Sequence, residues 1–343
     1  MAEFNPEIWF HRRASLYVES QVLFHLNQCG VFAVLGRGGV HSSEELAREL
    51  GLEAKVLRAC LEYVSSMDEI LEQHGEEGFA LTSAGAAVLA RFGRDTPEGL
   101  AINLFDVRVG GYEPVWQALG GLLRGELRYG KDVQRAGAMA AEGVFKIGKR
   151  MAPGLADVLK GLEVQTEVEL GVTTGLSQSM AALGVERVRV GVDRSKQALN
   201  DAAARSAGAA ISWVHGDFVS NPDTLKSPEI RGPVAFYSVH LHEFLALGEE
   251  RVSRWLSTLS RDFPGSYLVA LEQPAIEGEA ESEVLRLYSS SNRFIHHLIG
   301  NGRILSSEGW NRLFADAGVR VSAVQELGYL GYCAWVVRLG EDK

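Results

Sequence analysis

From about residue 164 onward the chain alternates apolar, β-branched runs with segments of helical spacing, and this alternation restricts the fold more than any other feature. Val164 to Leu170, Val188 to Val192, Ile211 to Val214, Val234 to Val239 and Tyr267 to Leu271 read as strands. Ser177 to Leu183, Lys196 to Ala207 and Arg251 to Arg261 read as helices between them. Strands joined through helices need crossover connections, so they build a mostly parallel sheet covered on both faces. The end differs. Ser307 caps a helix from Glu308 to Ala317 that Gly318 stops, and then Val319 to Glu326 and Cys333 to Leu339 follow closely enough to pair as an antiparallel edge.

The first of these strands runs into a glycine turn, Val168-Glu169-Leu170-Gly171-Val172-Thr173-Thr174-Gly175, and the second ends in Gly191-Val192-Asp193. Glycines at such a turn let backbone N–H groups approach a ligand, and an acid about 20 residues on, at the tip of the next strand, suits a ribose diol. The pattern points to a nucleoside cofactor. Thr173 stands where a second glycine is expected; its branched Cβ crowds the turn, while its hydroxyl can donate to a carboxylate.

Ahead of this lies a different pattern. Ser42 or Ser43 caps a helix through Glu44 to Leu50, closed by Gly51, and Val56, Leu57, Cys60, Leu61 and Val64 recur at helical spacing in a second helix. Gly78 to Thr82 supplies a short strand, giving a winged helix-turn-helix. Residues 1 to 90 hold 13 carboxylates against 6 lysines and arginines, a balance that opposes phosphate contact and so DNA binding. Packing or dimerisation is the better use, because Val22, Leu23, Leu26, Val31, Phe32 and Val34 offer more apolar surface than so small a unit buries alone. The division expected is residues 1–95 as this domain, 96–160 as a helical connector and active-site cover, and 161–343 as the α/β domain.

Bulk properties agree. A formal charge of -10 argues against a general nucleic-acid or anionic-membrane binder. Cys29, Cys60 and Cys333 are scattered, suggesting neither a disulfide framework nor a thiolate metal cluster, and a reducing cytoplasm is the default. No apolar run has the length of a membrane span, and the start has none of the regions of a signal peptide.

Taken together, the winged helix, the turn at 169–175, Gly191-Val192-Asp193, His215-Gly216-Asp217-Phe218, Leu241-His242-Glu243-Phe244 and Gly309-Trp310-Asn311-Arg312-Leu313-Phe314 resemble the class I S-adenosylmethionine (SAM)-dependent methyltransferases. The resemblance is to the branch with an N-terminal winged-helix dimerisation domain, which includes many small-molecule O-methyltransferases. It implies a Rossmann-like, mostly parallel seven-stranded sheet, a homodimer and a small-molecule substrate. It also implies a cofactor site at Glu169, Gly171, Thr173, Gly175, Asp193, Asp217, Phe218 and Ser238, with Asp193 on the ribose and Asp217 and Phe218 bordering the adenine. Asp217 as a turn cap and Phe218 as core are the competing readings. Pro233 departs from the pattern, since many relatives open that strand with an acid.

Histidines narrow the chemistry. His240 and His242, with Glu243, follow one strand, and His296 and His297 lie in Phe294-Ile295-His296-His297. In the O-methyltransferases one histidine acts as general base on a substrate hydroxyl. In the metal-dependent 2-oxo-acid C-methyltransferases, which the two segments resemble more, His242 and His296, assisted by Glu243, would hold iron or zinc that chelates the 2-oxo acid. C3 methylation of a 2-oxo acid is therefore the expectation, with O-methylation the alternative and a different SAM reaction or a non-catalytic regulator behind it. Arg128, Tyr129, Lys131 and Arg135, and His297, are candidates for reading the substrate, and Phe105, Trp116, Phe145, Met151 and Tyr288 for its apolar wall.

Overall fold

In the computed structural model, residues 5–67, 69–76, 78–92, 105–184, 187–206, 208–276 and 282–340 are described. The chain divides into two compact units, one of Met1–Arg128 with Val133–Gly143, the other of Tyr129–Asp132 with Val144–Lys343.

In the first unit the Asn5 side chain caps the long helix Pro6–Gln28. Ser42 rather than Ser43 caps Ser43–Leu50: its Oγ accepts from Glu45 N while Ser42 N donates to the Glu45 carboxylate, a reciprocal box that satisfies two end groups at once. Gly51 ends that helix in the left-handed region. The next helix, Ala54–Met67, buries Leu57, Leu61 and Val64, but Val56 is turned outward at 62% exposure. Strands β1 (His41–Ser42), β2 (Leu71–His74) and β3 (Gly78–Leu81) form a small antiparallel sheet in the order β1-β3-β2, the wing.

The apolar surplus expected at residues 22–34 is internal: Leu26, Val31, Phe32 and Val34 are buried with Leu46, Leu61 and Phe79, and Val22 and Leu23 pack against them. What remains outside is another set on the first helix, Ile8, Trp9, Phe10, Leu16, Tyr17 and Val18. Gly110 and Gly111 lie in a wide helical turn, Asp106–Gly111. A Cβ on Gly110 would stand 2.2 Å from the Phe24 ring, so close approach explains that glycine.

The second unit carries the seven-stranded sheet. Its strands are β4 (Thr166–Leu170), β5 (Val188–Asp193), β6 (Ile211–His215), β7 (Val234–Val239), β8 (Ser266–Glu272), β9 (Arg320–Glu326) and β10 (Cys333–Leu339). They are ordered β6-β5-β4-β7-β8-β10-β9, parallel from β6 to β8, with β10 antiparallel to both β8 and β9. The alternation thus folds as the sequence dictates. Strands β4, β7 and β8 are almost wholly buried because helices cover both faces. On one face Val168, Phe236, Leu268 and Trp335 pack against Trp255, Leu256 and Leu259 of the helix Glu249–Asp262 and Trp310 and Phe314 of Ser307–Asp316. Each such large side chain contributes about 1.5–3 kcal/mol on burial. Ser306, one residue before the expected cap, holds the start of Ser307–Asp316.

Strand order fixes where a ligand fits. The chain winds outward from β4 to β6 and then returns to place β7 on the other side of β4, so the order reverses between β4 and β7. In open parallel sheets the binding crevice lies beyond the carboxyl ends of the strands at such a reversal. The glycine turn leaves β4 there, and the His240–His242 segment leaves β7 beside it. No helix among the described residues is long and apolar enough to cross a membrane.

Candidate active site

The glycine turn is held from below by Glu169. This fully buried carboxylate accepts from Thr174 Oγ1 (2.6 Å), Leu176 N (3.1 Å) and Ser177 N (2.8 Å), so it closes the turn and caps the helix Leu176–Ala182. Burial pushes its carboxyl above the usual range, and the hydrogen bonds from Thr174, Ser177 and Leu176 oppose that shift without cancelling it. The threonine that donates to a carboxylate is therefore Thr174. Thr173 is exposed in the short helical turn Val172–Thr174.

Gly171 (φ 85°) and Gly175 (φ 64°) both need the left-handed region. A Cβ on Gly171 would meet nothing within 4 Å, which leaves open space over the turn, whereas one on Gly175 would strike the Phe145 ring at 2.2 Å. Phe145, read from sequence as apolar wall, is thus packed on the turn. Asp193 is 8% exposed at the end of β5, where Oδ2 accepts from Val172 N (3.0 Å) and Oδ1 from Ser195 N (2.7 Å). Each oxygen keeps a second lone pair, the requirement for accepting a diol.

Three residues expected at the cofactor make contacts within the protein. Phe218, 4% exposed, is locked in the core against Phe244 and Trp255, with ring centroids 5.2 and 5.8 Å away. Asp217 Oδ1 caps its own turn by accepting from Val219 N and Ser220 N. Burial alone would raise the Asp217 carboxyl, the largest single effect, but the Ser220 and Val219 hydrogen bonds and the Arg194 charge outweigh it and leave it below the usual range. Ser238 is buried and donates to Leu170 O (3.0 Å), tying β7 to β4.

Beyond β7 the backbone turns sharply. His240 adopts a left-handed conformation (φ 65°), costly for a side chain with a Cβ, and its Nε2 lies 2.8 Å from Tyr332 Oη. The turn Leu241–Leu247 then delivers His242 into the interior at 1% exposure. Both oxygens of Glu272, at the end of β8, receive it: His242 N donates to Oε1 (3.0 Å) and Nδ1 to Oε2 (2.7 Å). On its other side His242 Nε2 is 3.0 Å from Nδ1 of His296. His296 comes from the buried face of the helix Glu283–Leu298, which also carries Tyr288, Asn292 and Ile295. Gly302 (φ 81°) passes so close that a Cβ there would lie 2.2 Å from His242 O.

Several sequence expectations separate here. His297, next to the buried His296, is exposed. Glu243 accepts from Asn301 Nδ2 (2.9 Å), and among the described residues no group of three or more His, Cys, Asp or Glu side chains is placed to hold a metal ion. Arg128 and Arg135 belong to the first unit, where Arg128 is exposed and Arg135 donates to Tyr112 Oη (3.2 Å). Met151 is fully buried, and Tyr288 Oη lies 3.5 Å from Tyr332 Oη. Sequence reasoning missed Glu272, a lone acid ending an apolar strand next to β7, and Tyr332.

For His242, burial alone would lower the pKa, the largest single effect, but the charge and hydrogen bond of Glu272, with the Glu243 charge, more than offset it and leave it raised. A base must be neutral to accept a proton. If His242 limits the rate, kcat climbs with rising pH through a midpoint above about 6.5, the ordinary imidazole value, and Glu272→Gln brings that midpoint down. A pH–rate profile of the two proteins checks both shifts.

No family model matches the sequence, and no curated protein matches it at the sequence level. Solved structures do match. The mitomycin 7-O-methyltransferase MmcR is 15% identical with a TM-score of 0.70 over 97% of each chain. Human N-acetylserotonin methyltransferase in complex with SAM is 16% identical with a TM-score of 0.66 over 99% of each chain. A pericyclic reaction enzyme is 15% identical with a TM-score of 0.67 over 98% of this chain and 90% of its own. At such identities the likeness establishes the fold: a seven-stranded, mostly parallel Rossmann-like sheet with an N-terminal helical domain, as in O-methyltransferases. One fold hosts several chemistries, so function has to be argued from the site.

Proposed function

We propose that the protein methylates a hydroxyl oxygen of a small molecule using SAM, with a histidine base built on the Glu272–His242 pair. The observation that carries this reading is a buried imidazole at the β4/β7 crevice whose Nδ1 is held by a carboxylate. That contact fixes the tautomer, leaves the lone pair on Nε2 and stabilises the imidazolium formed when a proton arrives. The open space over Gly171 and the remaining lone pairs of Asp193 suit a nucleoside bearing a ribose diol. SAM, when bound, supplies an electrophilic methyl group on a sulfonium. Glu169 keeps the turn closed beneath it, and the low exposure of Glu272, His242 and His296 excludes water from the proton's path. The likeness in fold to O-methyltransferases supports the same reading.

The metal-assisted C-methylation expected from the sequence fits less well. Its donor set falls to two imidazoles hydrogen-bonded to each other, with Glu243 engaged by Asn301. Two nitrogens with no third protein ligand among the described residues make a poor cage for iron or zinc. The reading as a dimer through the N-terminal domain rests on Ile8, Trp9, Phe10, Leu16, Tyr17 and Val18, an exposed apolar set on one helix.

Calorimetry with SAM and S-adenosylhomocysteine tests the reading first. Both are expected to bind, and Asp193→Ala weakens each by about 10–100-fold, the worth of one or two hydrogen bonds to a charged group. A protein that binds neither is a regulator or a scaffold, and the proposal fails.

A further inference from the structure

Two consecutive residues at the end of β8 grip different elements beside the crevice. Glu272 holds His242, and Gln273, only 3% exposed, bridges the loop between β9 and β10 to the helix Glu283–Leu298. Its Nε2 donates to Leu330 O (2.8 Å), and its Oε1 accepts from Asn292 Nδ2 (3.2 Å). These two bonds fix both amides. A backbone carbonyl only accepts, so the end of Gln273 at Leu330 is the nitrogen and the end at Asn292 is the oxygen. Asn292 must then turn its nitrogen to Gln273, which leaves Oδ1 to face elsewhere. Asn292 is 9% exposed, yet its Oδ1 has no hydrogen-bond partner among the described residues. Ser289, 7% exposed and three residues earlier, has none there for its Oγ. Buried polar atoms are satisfied in the great majority of cases, as Ser177 and Ser238 are in the same unit, so two bare ones close together call for a partner from outside the chain.

Helical spacing ties this pair to the site. Ser289, Asn292 and His296 stand at i, i+3 and i+7 on the buried face of one helix, and the His296 ring meets that of His242. We infer that Asn292, with Ser289 beside it, reads a second hydrogen-bond donor on the acceptor molecule, an O–H or N–H group about one helix turn, roughly 5–6 Å, from the hydroxyl that is methylated. This assignment rests on the proposed O-methylation, which makes the crevice the acceptor's site. An amide oxygen only accepts, so a ligand ether or carbonyl oxygen set against Asn292 Oδ1 repels it and a methyl group leaves it stranded. Ser289 Oγ, able to donate or accept, completes the contact to either kind of donor. The substrate class that follows is a hydroxyl compound with a second polar hydrogen, such as a diphenol or an aminophenol. A symmetric diphenol then takes one methyl group and not two, because its monomethyl ether, turned end for end, would bring a methoxy group to Asn292.

Ligand-observed NMR titrations of the whole protein, with S-adenosylhomocysteine present, read the preference without turnover. Hydroquinone, para-aminophenol, para-methoxyphenol and para-cresol share a ring and a phenolic hydroxyl and differ only opposite it. The first two are expected to bind about 10–100-fold more tightly than the last two, the cost of leaving a buried acceptor unmatched, and the tighter of the first two identifies oxygen or nitrogen as the donor. Asn292→Leu is expected to cut that preference to about three-fold or less. Equal affinities, binding by none of the four, or a preference that survives Asn292→Leu overturns the inference. A crystal structure of the wild-type protein with S-adenosylhomocysteine and the tighter ligand makes the same test without a variant that has to fold: the second donor is expected within hydrogen-bond distance of Asn292 Oδ1, and a water on Oδ1 with that donor bound elsewhere overturns the inference. A binding preference with no methylation of any bound phenol leaves the donor subsite standing and overturns O-methylation.

Discussion

His242→Ala is expected to lower kcat by about 10²–10⁴-fold while SAM affinity stays within a few-fold of wild type, the signature of a lost acid–base group rather than a lost binding contact. Under the proposed function His242 is the base that takes the acceptor's proton, so its loss reaches the chemical step. Truncation also leaves Glu272 as a buried carboxylate with neither its Nδ1–H donor nor its packing partner, which costs stability. His242→Gln controls for this, because its amide can still donate toward Glu272 while accepting no proton at neutral pH. Steady-state kinetics beside a urea melt separates the two contributions. Equal loss of kcat in a well-folded His242→Gln is the expected outcome.

Glu169→Ala is expected to destabilise the second unit by about 3–5 kcal/mol and to abolish SAM binding. Its carboxylate satisfies the Thr174 hydroxyl and the N–H groups of Leu176 and Ser177, all buried. Each partner stranded without water costs about 1–3 kcal/mol, and water can enter only part of the vacated space. The same change removes a negative charge from the start of the helix Leu176–Ala182 and leaves the glycine turn without its inner support. Glu169→Gln keeps one acceptor oxygen and the shape, so a smaller loss is expected. The shift in denaturation midpoint for the two variants, measured with and without SAM, tests both statements.

What the sequence made legible follows from the range over which each signal acts. The strand–helix alternation, the antiparallel edge and the capping of Ser43–Leu50 are local patterns, and the structure reproduces them with ends shifted by a residue or two. Asp193 and the turn were readable because they belong to one βαβ unit. Phe218 was not, because the partners that make it core, Phe244 and Trp255, come from elsewhere in the chain. The same holds for the apolar residues 22–34, whose partners include Leu61 and Phe79. Thr174 and Thr173 differ only in which side of a tight turn they occupy, a matter of one residue that no propensity decides.

The histidines teach the same point at the site itself. His242 and His296 were singled out, and they do come together, but their meaning depends on Glu272, 30 positions after His242 and brought beside it only by the pairing of β7 with β8. Without that carboxylate the two imidazoles suggest metal ligands. With it, His242 has a carboxylate partner that holds its Nδ1.

The proposed function stands on transfer of a methyl group from SAM to oxygen. It is tested most directly with trideuteromethyl-labelled SAM offered alongside a panel of phenols, alcohols and 2-oxo acids, the position of the label in each product being read by mass spectrometry and NMR. Label on an oxygen atom is expected, with one S-adenosylhomocysteine released per product and the signal lost in His242→Gln. Label on the C3 carbon of a 2-oxo acid contradicts it.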